Sequence, residues 1–327
     1  MSPIPNIVGH EKLCGQLLDD IAHQNVSHAY LLVGPPHLGK FTVARWFAWR
    51  LLTEGLEPAT YPAVWDQIDR MIHPDFLSMD ALWIDGVQDD WRVIGQSSNV
   101  PQQHRAKAPT AKTDVISIED VRCLHERLQA TGSSPHLCCL IRSIDRMQPA
   151  AANAFLKILE EPPPRVVFIL TTGNEHALLP TVVSRTRIMR FFPLKPEELR
   201  PLTAGKDDED AAFATHLSHG APGTLLSLLQ NPDALRLGKQ LHTQARQFWK
   251  TGSLLERLKW IMPFADQRST LPELLKHLGN ALQELPDPVR KSRYTKAYSE
   301  LVEALHTNAH RGLLLERFSL AVSSDPC

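Results

Sequence analysis

A short apolar run that ends in a glycine- and lysine-containing loop constrains the fold of this chain most strongly. Residues 29–33 read Ala-Tyr-Leu-Leu-Val, and residues 34–40 read Gly-Pro-Pro-His-Leu-Gly-Lys. The apolar run predicts a buried strand, because the glycine and the two prolines end it at once. Apolar residues four positions apart beyond Lys40 predict a helix. A strand, a glycine loop and a helix in this order are typical of a phosphate-binding site.

The residues that we predict to contact a nucleotide are Gly34, Gly39, Lys40 and Thr42. Glycines let backbone N–H groups close round phosphate oxygens, and the lysine reaches the outer phosphates. The hydroxyl residue that usually follows this lysine and holds magnesium is replaced by Phe41. Thr42 comes one residue late, on a different side of the helix. The loop therefore predicts phosphate contacts without the usual magnesium ligand.

A second buried strand, predicted at residues 137–141, should end in acidic residues if the chain hydrolyses ATP. Arg142 and Ser143 stand at that position instead. Asp145 lies farther along, where we expect it to serve a turn or a helix cap. Arg142 is expected either to be solvated or to fill the metal position and repel magnesium. No metal-binding residue is predicted.

Predicted strands and helices alternate as far as residue 193. Alternation of this kind predicts an α/β fold with a parallel sheet covered by helices on both faces. Beyond residue 193 the spacing of apolar residues predicts helices without strands, among them residues 271–285, 289–306 and 312–323. Residues 85–112 lack periodicity and predict a long exposed loop.

Local signals predict where two helices begin. Residues 117–120, Ser-Ile-Glu-Asp, resemble a capping box, and we expect the helix that they open to stop at Gly132. Pro149 suits the first turn of a second helix, which the three prolines at 162–164 must end. A strand is predicted directly afterwards, at residues 165–170.

Composition excludes several classes of protein. The chain has 35 Lys+Arg and 36 Asp+Glu, and a net charge of -1 argues against a basic surface that grips DNA as a whole. Five cysteines without a Cys-x-x-Cys pair favour buried thiols in a reducing compartment. The first ten residues lack the pattern of a secretory leader, and no apolar run approaches the about 20 residues of a membrane helix. We therefore expect a cytoplasmic protein with no membrane contact.

Residues 142–163 read Arg-Ser-Ile-Asp-Arg-Met-Gln-Pro-Ala-Ala-Ala-Asn-Ala-Phe-Leu-Lys-Ile-Leu-Glu-Glu-Pro-Pro. This segment resembles the Walker B region and following helix of the AAA+ clamp-loader subunits of bacterial DNA polymerase III. Residues 167–172 resemble the sensor 1 strand of that family, and residues 179–186 resemble its Ser-Arg-Cys motif. Several short segments are more similar to the delta-prime branch than to gamma/tau: residues 7–10, 27–30, 73–75 and 220–223.

The resemblance implies an AAA+ P-loop domain at residues 1–193, a small helical lid at 194–232 and an all-α collar at 233–327. It covers the first two regions well and the collar only faintly, through Asn308 and residues 313–315. In this family the collar joins gamma/tau and delta subunits in a five-membered ring, which loads the sliding clamp on primer–template DNA. The nucleotidyl transfer of the polymerase complex belongs to other chains.

The resemblance also implies roles for individual residues. Arg185 stands where the family offers an arginine finger to a neighbouring subunit's ATP, and such a guanidinium stabilises charge in the transition state. Thr172 occupies a sensor 1 position, and Gly223 replaces the expected sensor 2 arginine. Residues 50–73 contain no cysteine, so the cysteine-ligated zinc module of some family members is not expected. The departures at Phe41, at Arg142-Ser143 and at Gly223 together favour a static, non-hydrolysing subunit that requires no cofactor.

Several alternatives remain open at this stage. The loop around Lys40 is either a relic without nucleotide or a weak ATP/ADP site without hydrolysis. Arg185 is either the finger or a surface salt-bridge residue. An active AAA+ ATPase could use Lys40 with Thr42 and Asp145 as substitute magnesium ligands. A P-loop nucleotide kinase is a third possibility, but the chain shows no acceptor site. The histidines are scattered, and His73 is expected in a loop before a strand.

Overall fold

The computed structural model describes residues 6–80, 115–129, 132, 134–265, 270–305, 307 and 309–323. In these residues five strands form one sheet with the order β2-β3-β4-β1-β5, and every pair of neighbours is parallel. The strands are β1 (Ala29–Val33), β2 (Phe76–Met79), β3 (Leu137–Ile141), β4 (Val166–Thr172) and β5 (Arg187–Arg190). The predicted exposed loop at residues 85–112 lies outside the described residues.

Successive side chains of the central strands enter two different apolar cores. In β3, Cys138 and Leu140 belong to one cluster of buried residues, whereas Cys139 and Ile141 belong to the other. Side chains of a strand point alternately to the two faces of a sheet, so a strand covered on both faces is apolar throughout. Both faces are therefore buried, as the unbroken apolar run predicts.

Helices cover each face of the sheet. One face packs against α1 (Glu11–Ala22), α2 (Lys40–Leu52) and α3 (Tyr61–Asp69). The other face packs against α4 (Ile118–Leu128) and α5 (Pro149–Glu160). Two shorter helices follow in this part of the chain, α6 (Pro180–Val183) and α7 (Pro196–Thr203). The predicted fold class, a parallel sheet flanked by helices and followed by a helical region, is confirmed.

The predicted helix starts are also confirmed. Ser117 caps α4, because its hydroxyl accepts the N–H of Asp120 while the Asp120 carboxylate accepts the N–H of Ser117. Pro149 is the first residue of α5. The expected stop at Gly132 is wrong, since α4 ends at Leu128. The helix ends where its buried apolar positions end, and the glycine is not needed as a cap.

The chain divides into two compact units. One comprises residues 1–204 and 218–224, and the other comprises residues 205–217 and 225–327. The helices of the C-terminal region are α8 (Asp208–Ser218), α9 (Pro222–Gln230), α10 (Pro232–Lys250), α11 (Leu254–Ile261), α12 (Leu271–Gln283), α13 (Pro288–Leu305) and α14 (Arg311–Ser323). The boundaries at residues 193 and 232 stay predictions. Asn308, part of the predicted collar resemblance, lies outside the described residues.

Aromatic side chains fill the core of the second unit. Trp249 stacks on Tyr294 with 5.3 Å between ring centroids, and Phe248 stacks on Phe318 at 5.7 Å. The Trp249 indole N–H donates to the Leu278 carbonyl at 2.9 Å, so its polar atom is satisfied in the core. These contacts hold the helices of this unit together.

The prediction of buried thiols is confirmed for two of the four cysteines among the described residues. Cys138 and Cys139 are free and fully buried, and burial raises the pKa of both thiols far above the usual value. Cys14 and Cys123 are free and only half-buried. Within the described residues, no helix combines the length and apolar character that crossing a membrane requires.

Candidate functional site

The predicted phosphate loop lies at the carboxyl end of the sheet. Because all five strands are parallel, residues that follow different strands meet at this end. Gly34 follows β1, Arg142 follows β3 and Thr172 ends β4. The Gly34 N–H donates to the Thr172 carbonyl at 3.2 Å. The fold therefore brings together Gly34, Lys40 at the start of α2, and the sensor 1-like Thr172.

The Lys40 ammonium is already bound by its own loop. Nζ donates to the Gly34 carbonyl at 2.5 Å and to the Pro35 carbonyl at 2.6 Å. Burial lowers the pKa of Lys40, and the negative charge of Asp145 partly offsets this effect. The lysine thus points back into the loop, and a phosphate would have to displace two short hydrogen bonds to reach it.

Two further contacts bind the carbonyl groups of Leu38 and His37 in the loop. His10 Nε2 lies 2.9 Å from the Leu38 carbonyl and donates to it, and the Gly223 N–H donates to the His37 carbonyl at 2.9 Å. Gly223 is the residue that stands in place of the expected sensor 2 arginine. The loop is therefore anchored from both sides by groups that are distant in sequence.

Close packing at one end of the loop and a left-handed backbone at the other explain why both ends need glycine. A Cβ on Gly34 would lie 2.7 Å from the Phe191 carbonyl oxygen, which is a severe clash. Gly39 is the N-cap residue of α2 and has a φ of 87°. Residues other than glycine rarely adopt this backbone conformation. Both glycines predicted from the motif thus have a backbone role that does not depend on nucleotide.

Arg142 lies against Phe41, the residue that stands where a phosphate-loop enzyme usually has its magnesium-binding hydroxyl. Its guanidinium carbon lies 4.2 Å from the centroid of the Phe41 ring, and its NH1 lies 2.7 Å from the Asp80 carboxylate. Neither the Arg142 guanidinium nor the Phe41 ring carries an oxygen atom. Mg²⁺ requires oxygen ligands, so this contact offers it none. Thr42, the candidate substitute ligand, is exposed. The residues present therefore do not fit a bound magnesium ion.

Asp145 lies in a turn and accepts a hydrogen bond from its own unit, as expected for a residue that serves a turn. It lies in the 3₁₀ turn Ile144–Arg146, and its Oδ1 accepts the Thr172 hydroxyl at 2.6 Å. The Thr172 Oγ1 also accepts the backbone N–H of Asn174 at 3.0 Å. The sensor 1-like hydroxyl thus holds the turn after β3 against the end of β4.

Arg185 lies at the opposite, amino end of the sheet. It follows α6 and precedes β5, whose first residue, Arg187, pairs with Tyr30 near the start of β1. Its NH2 lies 2.9 Å from Oε1 of Glu160, and its NH1 donates to the Thr181 carbonyl at 3.0 Å. About a third of the Arg185 side chain is exposed.

The separation between the two sites follows from the register. Arg187 pairs with Tyr30 and Arg190 pairs with Val33, the residue before the phosphate loop. These paired residues span about 10 Å at the rise of a β-strand. Arg185 lies beyond that span and is bound away from the loop, so the structure does not bring Arg185 and Lys40 into one site.

Two ion pairs with buried carboxylates also lie at the amino end. The Asp75 carboxylate, which is almost fully buried, lies 3.0 Å from the Arg165 guanidinium and accepts the Ser134 N–H at 3.1 Å. Burial raises the pKa of Asp75, but the hydrogen bonds from Ser134 and Arg165 outweigh it and hold the pKa below its usual value. His73 precedes β2, as predicted, and its Nδ1 accepts the Asp75 N–H.

The second pair joins α1 to β1 and β5. Asp20 accepts the Tyr30 hydroxyl at 2.9 Å and a guanidinium N–H of Arg187 at 2.6 Å. The Ser27 N–H in turn donates to the Tyr30 hydroxyl at 3.0 Å. The segment at residues 27–30 that carries part of the resemblance is therefore a structural element of the amino end.

Sequence reasoning missed two residues of the carboxyl end, Asp80 and His10. Asp80 directly follows β2, so a carboxylate after a short buried strand was the available signal. His10 acts on the loop 28 positions away, and its φ of 57° places it in the left-handed region. Its spacing in the sequence carries no sign of that contact.

Comparisons with known proteins identify the family. A family model described as DNA polymerase III, delta subunit, matches residues 9–195, which is more than half of the chain. The gamma/tau subunit of Mycobacterium tuberculosis is 27% identical over 235 residues, covering 68% of this chain and 36% of that protein. The delta' subunit of Bacillus subtilis is 28% identical over 186 residues, covering 56% of this chain and 47% of that protein.

The delta' subunit of Escherichia coli is 35% identical over 129 residues, covering 38% of this chain and 34% of that protein. The matches thus span less than half the length of each of these three relatives. A gamma subunit-related protein of DNA polymerase III from Thermotoga maritima has a TM-score of 0.47 at 16% identity, covering 94% of this chain and 98% of that chain. A structural likeness with a TM-score this low carries no argument about function. The match of the family model, together with the delta' and gamma/tau relatives, shows that this chain belongs to the DNA polymerase III delta subunit family of clamp-loader proteins.

Proposed function

We propose that this chain is a non-hydrolysing, delta-prime-like subunit of a clamp-loader ring. It assembles with gamma/tau and delta subunits and supplies Arg185 to the ATP site of a neighbour. Contact with the sliding clamp and with primer–template DNA is made through the assembled ring. Its own phosphate loop serves as a structural element, with at most weak binding of ATP or ADP.

The contact of Arg142 with Phe41 and Asp80 is the observation that supports this proposal most. ATP hydrolysis by P-loop proteins depends on a magnesium ion held by a hydroxyl and a carboxylate. Here a guanidinium lies 4.2 Å over the ring that replaces the hydroxyl, and Asp80 balances its charge. A magnesium ion would have to displace this guanidinium to use the Asp80 carboxylate. The loop therefore lacks the electrostatic environment that the reaction needs.

The surroundings of Lys40 and Thr172 support the same proposal. The lysine donates to two loop carbonyls, and the threonine hydroxyl donates to Asp145. Binding a triphosphate would break these hydrogen bonds, and each broken bond offsets part of the gain from the new contact. Weak binding or none is the expected result.

The position of Arg185 suits action in trans. A guanidinium at the amino end of the sheet cannot reach the phosphate loop of its own chain at the carboxyl end. Its partner Glu160 is half exposed, and an exposed pair of this kind contributes only about 0–1 kcal/mol. A neighbour's triphosphate can therefore displace Glu160 at little cost in free energy.

The test is ATP hydrolysis by a ring reconstituted with gamma/tau, delta and sliding clamp. We expect Arg185→Ala to lower turnover at the neighbour's site by about 10³-fold or more, as loss of an arginine finger does. Arg190→Ala is the control, because Arg190 is an ion-paired arginine of the same sheet, 3.0 Å from Glu175 and more exposed than Arg185, but lies at the carboxyl end of β5 rather than at the amino end. Equal rates for the Arg185→Ala ring and the unaltered ring would refute the finger.

An active gamma/tau-like ATPase is the second candidate. The gamma/tau match covers 68% of this chain, whereas the delta' match from B. subtilis covers 56%. In this alternative Lys40 binds the phosphates, and Thr42 and Asp145 replace the missing magnesium ligands. It requires Asp145 to release the Thr172 hydroxyl and Arg142 to leave Phe41. ATP turnover by the isolated chain separates the two candidates.

A further inference from the structure

Two histidines and a glutamate converge in the helical unit, far from the phosphate loop in sequence. His216 lies near the end of α8, His242 lies in the middle of α10 and Glu284 directly follows α12. His216 Nε2 is 2.6 Å from Glu284 Oε1, and His242 Nε2 is 2.9 Å from the same oxygen. All three donor atoms lie within 4.8 Å of one another. Three helices thus contribute one metal-type donor each.

The chemistry of these donors suits one class of ion. Two imidazoles and one carboxylate are a common ligand set for Zn²⁺, with water in the fourth position. Mg²⁺ and Ca²⁺ prefer all-oxygen sites and are excluded by the two nitrogens. The exposed side chain of His216 leaves a path from solvent, whereas His242 is buried.

Only a small adjustment separates the observed arrangement from tetrahedral coordination. Zinc bonds of about 2.0–2.1 Å place neighbouring donors about 3.3 Å apart. The Glu284 oxygen would have to move back from the imidazoles by about half an ångström, and the two Nε2 atoms would approach each other. Rotation of the half-exposed His216 side chain can supply the second movement without moving a helix.

A nearby cation contacts Glu284 without covering the oxygen that both histidines share. Arg246 Nε lies 3.1 Å from the second oxygen, Oε2, so Oε1 remains the donor that faces both histidines. His277 packs beside His242 with 5.9 Å between ring centroids.

We propose that His216, His242 and Glu284 form a binding site for a zinc-class divalent metal that links α8, α10 and the end of α12. The role of the metal is structural: it would hold together three helices of the unit, and its binding free energy would add to the stability of the folded state. This inference is independent of the proposed function. It differs from the sequence-based prediction of no metal site, and it does not affect the prediction of no cysteine-ligated zinc module.

The test uses the full chain with no histidine tag and two probes, Zn²⁺ and Co²⁺. We expect saturable Zn²⁺ binding by calorimetry with one ion per chain, a rise in the melting temperature, and the visible absorption of tetrahedral Co²⁺. His216→Ala should weaken Zn²⁺ binding at least about tenfold and abolish the thermal shift. Glu284→Gln, which keeps the shape of the side chain, should also weaken binding.

His125→Ala is the matched control, because it removes one exposed imidazole from α4 and should leave Zn²⁺ affinity unchanged. Mg²⁺ should give no thermal shift. Absence of saturable Zn²⁺ binding would overturn the proposal and leave a hydrogen-bonded cluster. Equal loss of binding in His216→Ala and His125→Ala would also overturn it, since binding would then be spread over surface histidines.

Discussion

The cations beside the phosphate loop and the proposed arginine finger are held in different ways. At the carboxyl end, Lys40 donates to carbonyls of its own loop, and Arg142 lies between Phe41 and Asp80. At the amino end, Arg185 lies in an exposed pair with Glu160. The first two cations are held by groups that neutralise or fix them, whereas Arg185 is held weakly and can change partner.

Under the proposed function, this difference explains how a phosphate loop can persist in a chain that does not hydrolyse ATP. Gly34 and Gly39 are required by close packing and by a left-handed backbone, so the loop has a structural reason to keep its glycines. The metal ligands have no such reason, and aromatic and basic residues stand in their places. In the proposed function, activity depends on the amino end of the sheet, where Arg185 contacts a neighbouring subunit.

The largest expected effect is on the free energy of unfolding, and it concerns the ion pair of Arg165 at the amino end of the sheet. Asp75 and Arg165 form a buried pair, and removal of one partner leaves the other charge without compensation. We expect Asp75→Ala to lower the free energy of unfolding by about 3–5 kcal/mol, measured by urea denaturation. Asp75→Asn should lose less, because it keeps hydrogen-bonding atoms. A loss below about 1 kcal/mol in Asp75→Ala would mean that this pair resembles the exposed one.

The same carboxylate predicts a dependence on pH. The pKa of Asp75 is lower in the folded state than its ordinary value, so the unfolded state binds the proton more readily. The stabilisation is present above the ordinary value, about 3.8, and is lost as the pH falls through the lower folded value. We expect unfolding free energy to decline in acid, with a shallower decline in Asp75→Asn. Identical slopes below pH 4 would contradict this assignment.

A double variant introduces the two usual types of magnesium ligand at the carboxyl end of the sheet. Phe41→Thr with Arg142→Asp replaces the ring and the cation with a hydroxyl and a carboxylate. We expect a loss of about 1–2 kcal/mol in unfolding free energy, from the ring contact and the ion pair. We also expect ATP to bind more tightly with Mg²⁺ than without it, measured by calorimetry. The unaltered chain should show no stimulation by Mg²⁺, and stimulation there would indicate that Arg142 leaves the metal position free.

The smallest expected effect comes from the partner of the proposed finger. Glu160→Ala should change the free energy of unfolding by less than about 1 kcal/mol, because its pair with Arg185 is exposed to solvent. Ring ATPase activity should persist in this variant, since the guanidinium remains. A loss above about 2 kcal/mol would show that Arg185 is a structural residue held in place.

Much of the fold could be predicted from local patterns. β1 and β3 are unbroken apolar runs, and α5 is bounded by Pro149 and the prolines after Glu160. In contrast, β5 (Arg187–Arg190) was not predicted as a strand, because arginines at both ends interrupt its apolar pattern. Its pairing with β1 stabilises it, and such non-local pairing leaves no periodic signal in the sequence.

The candidate site was predictable by residue type but not by partner. The replacement of a hydroxyl by Phe41 and of acidic residues by Arg142 is visible in the sequence. The Asp80 carboxylate that balances Arg142 follows a different strand, and His10 reaches Leu38 from before α1. These contacts depend on strand order and on the path of the chain, which spacing alone does not determine.

ATP turnover by the isolated chain in the presence of Mg²⁺ tests the central claim most directly. A loop whose lysine is bound internally and whose metal position holds an arginine should hydrolyse ATP at the background rate. Lys40→Ala should then have the same rate as the unaltered chain. Magnesium-dependent turnover that disappears in Lys40→Ala would contradict the account and identify the chain as an active ATPase.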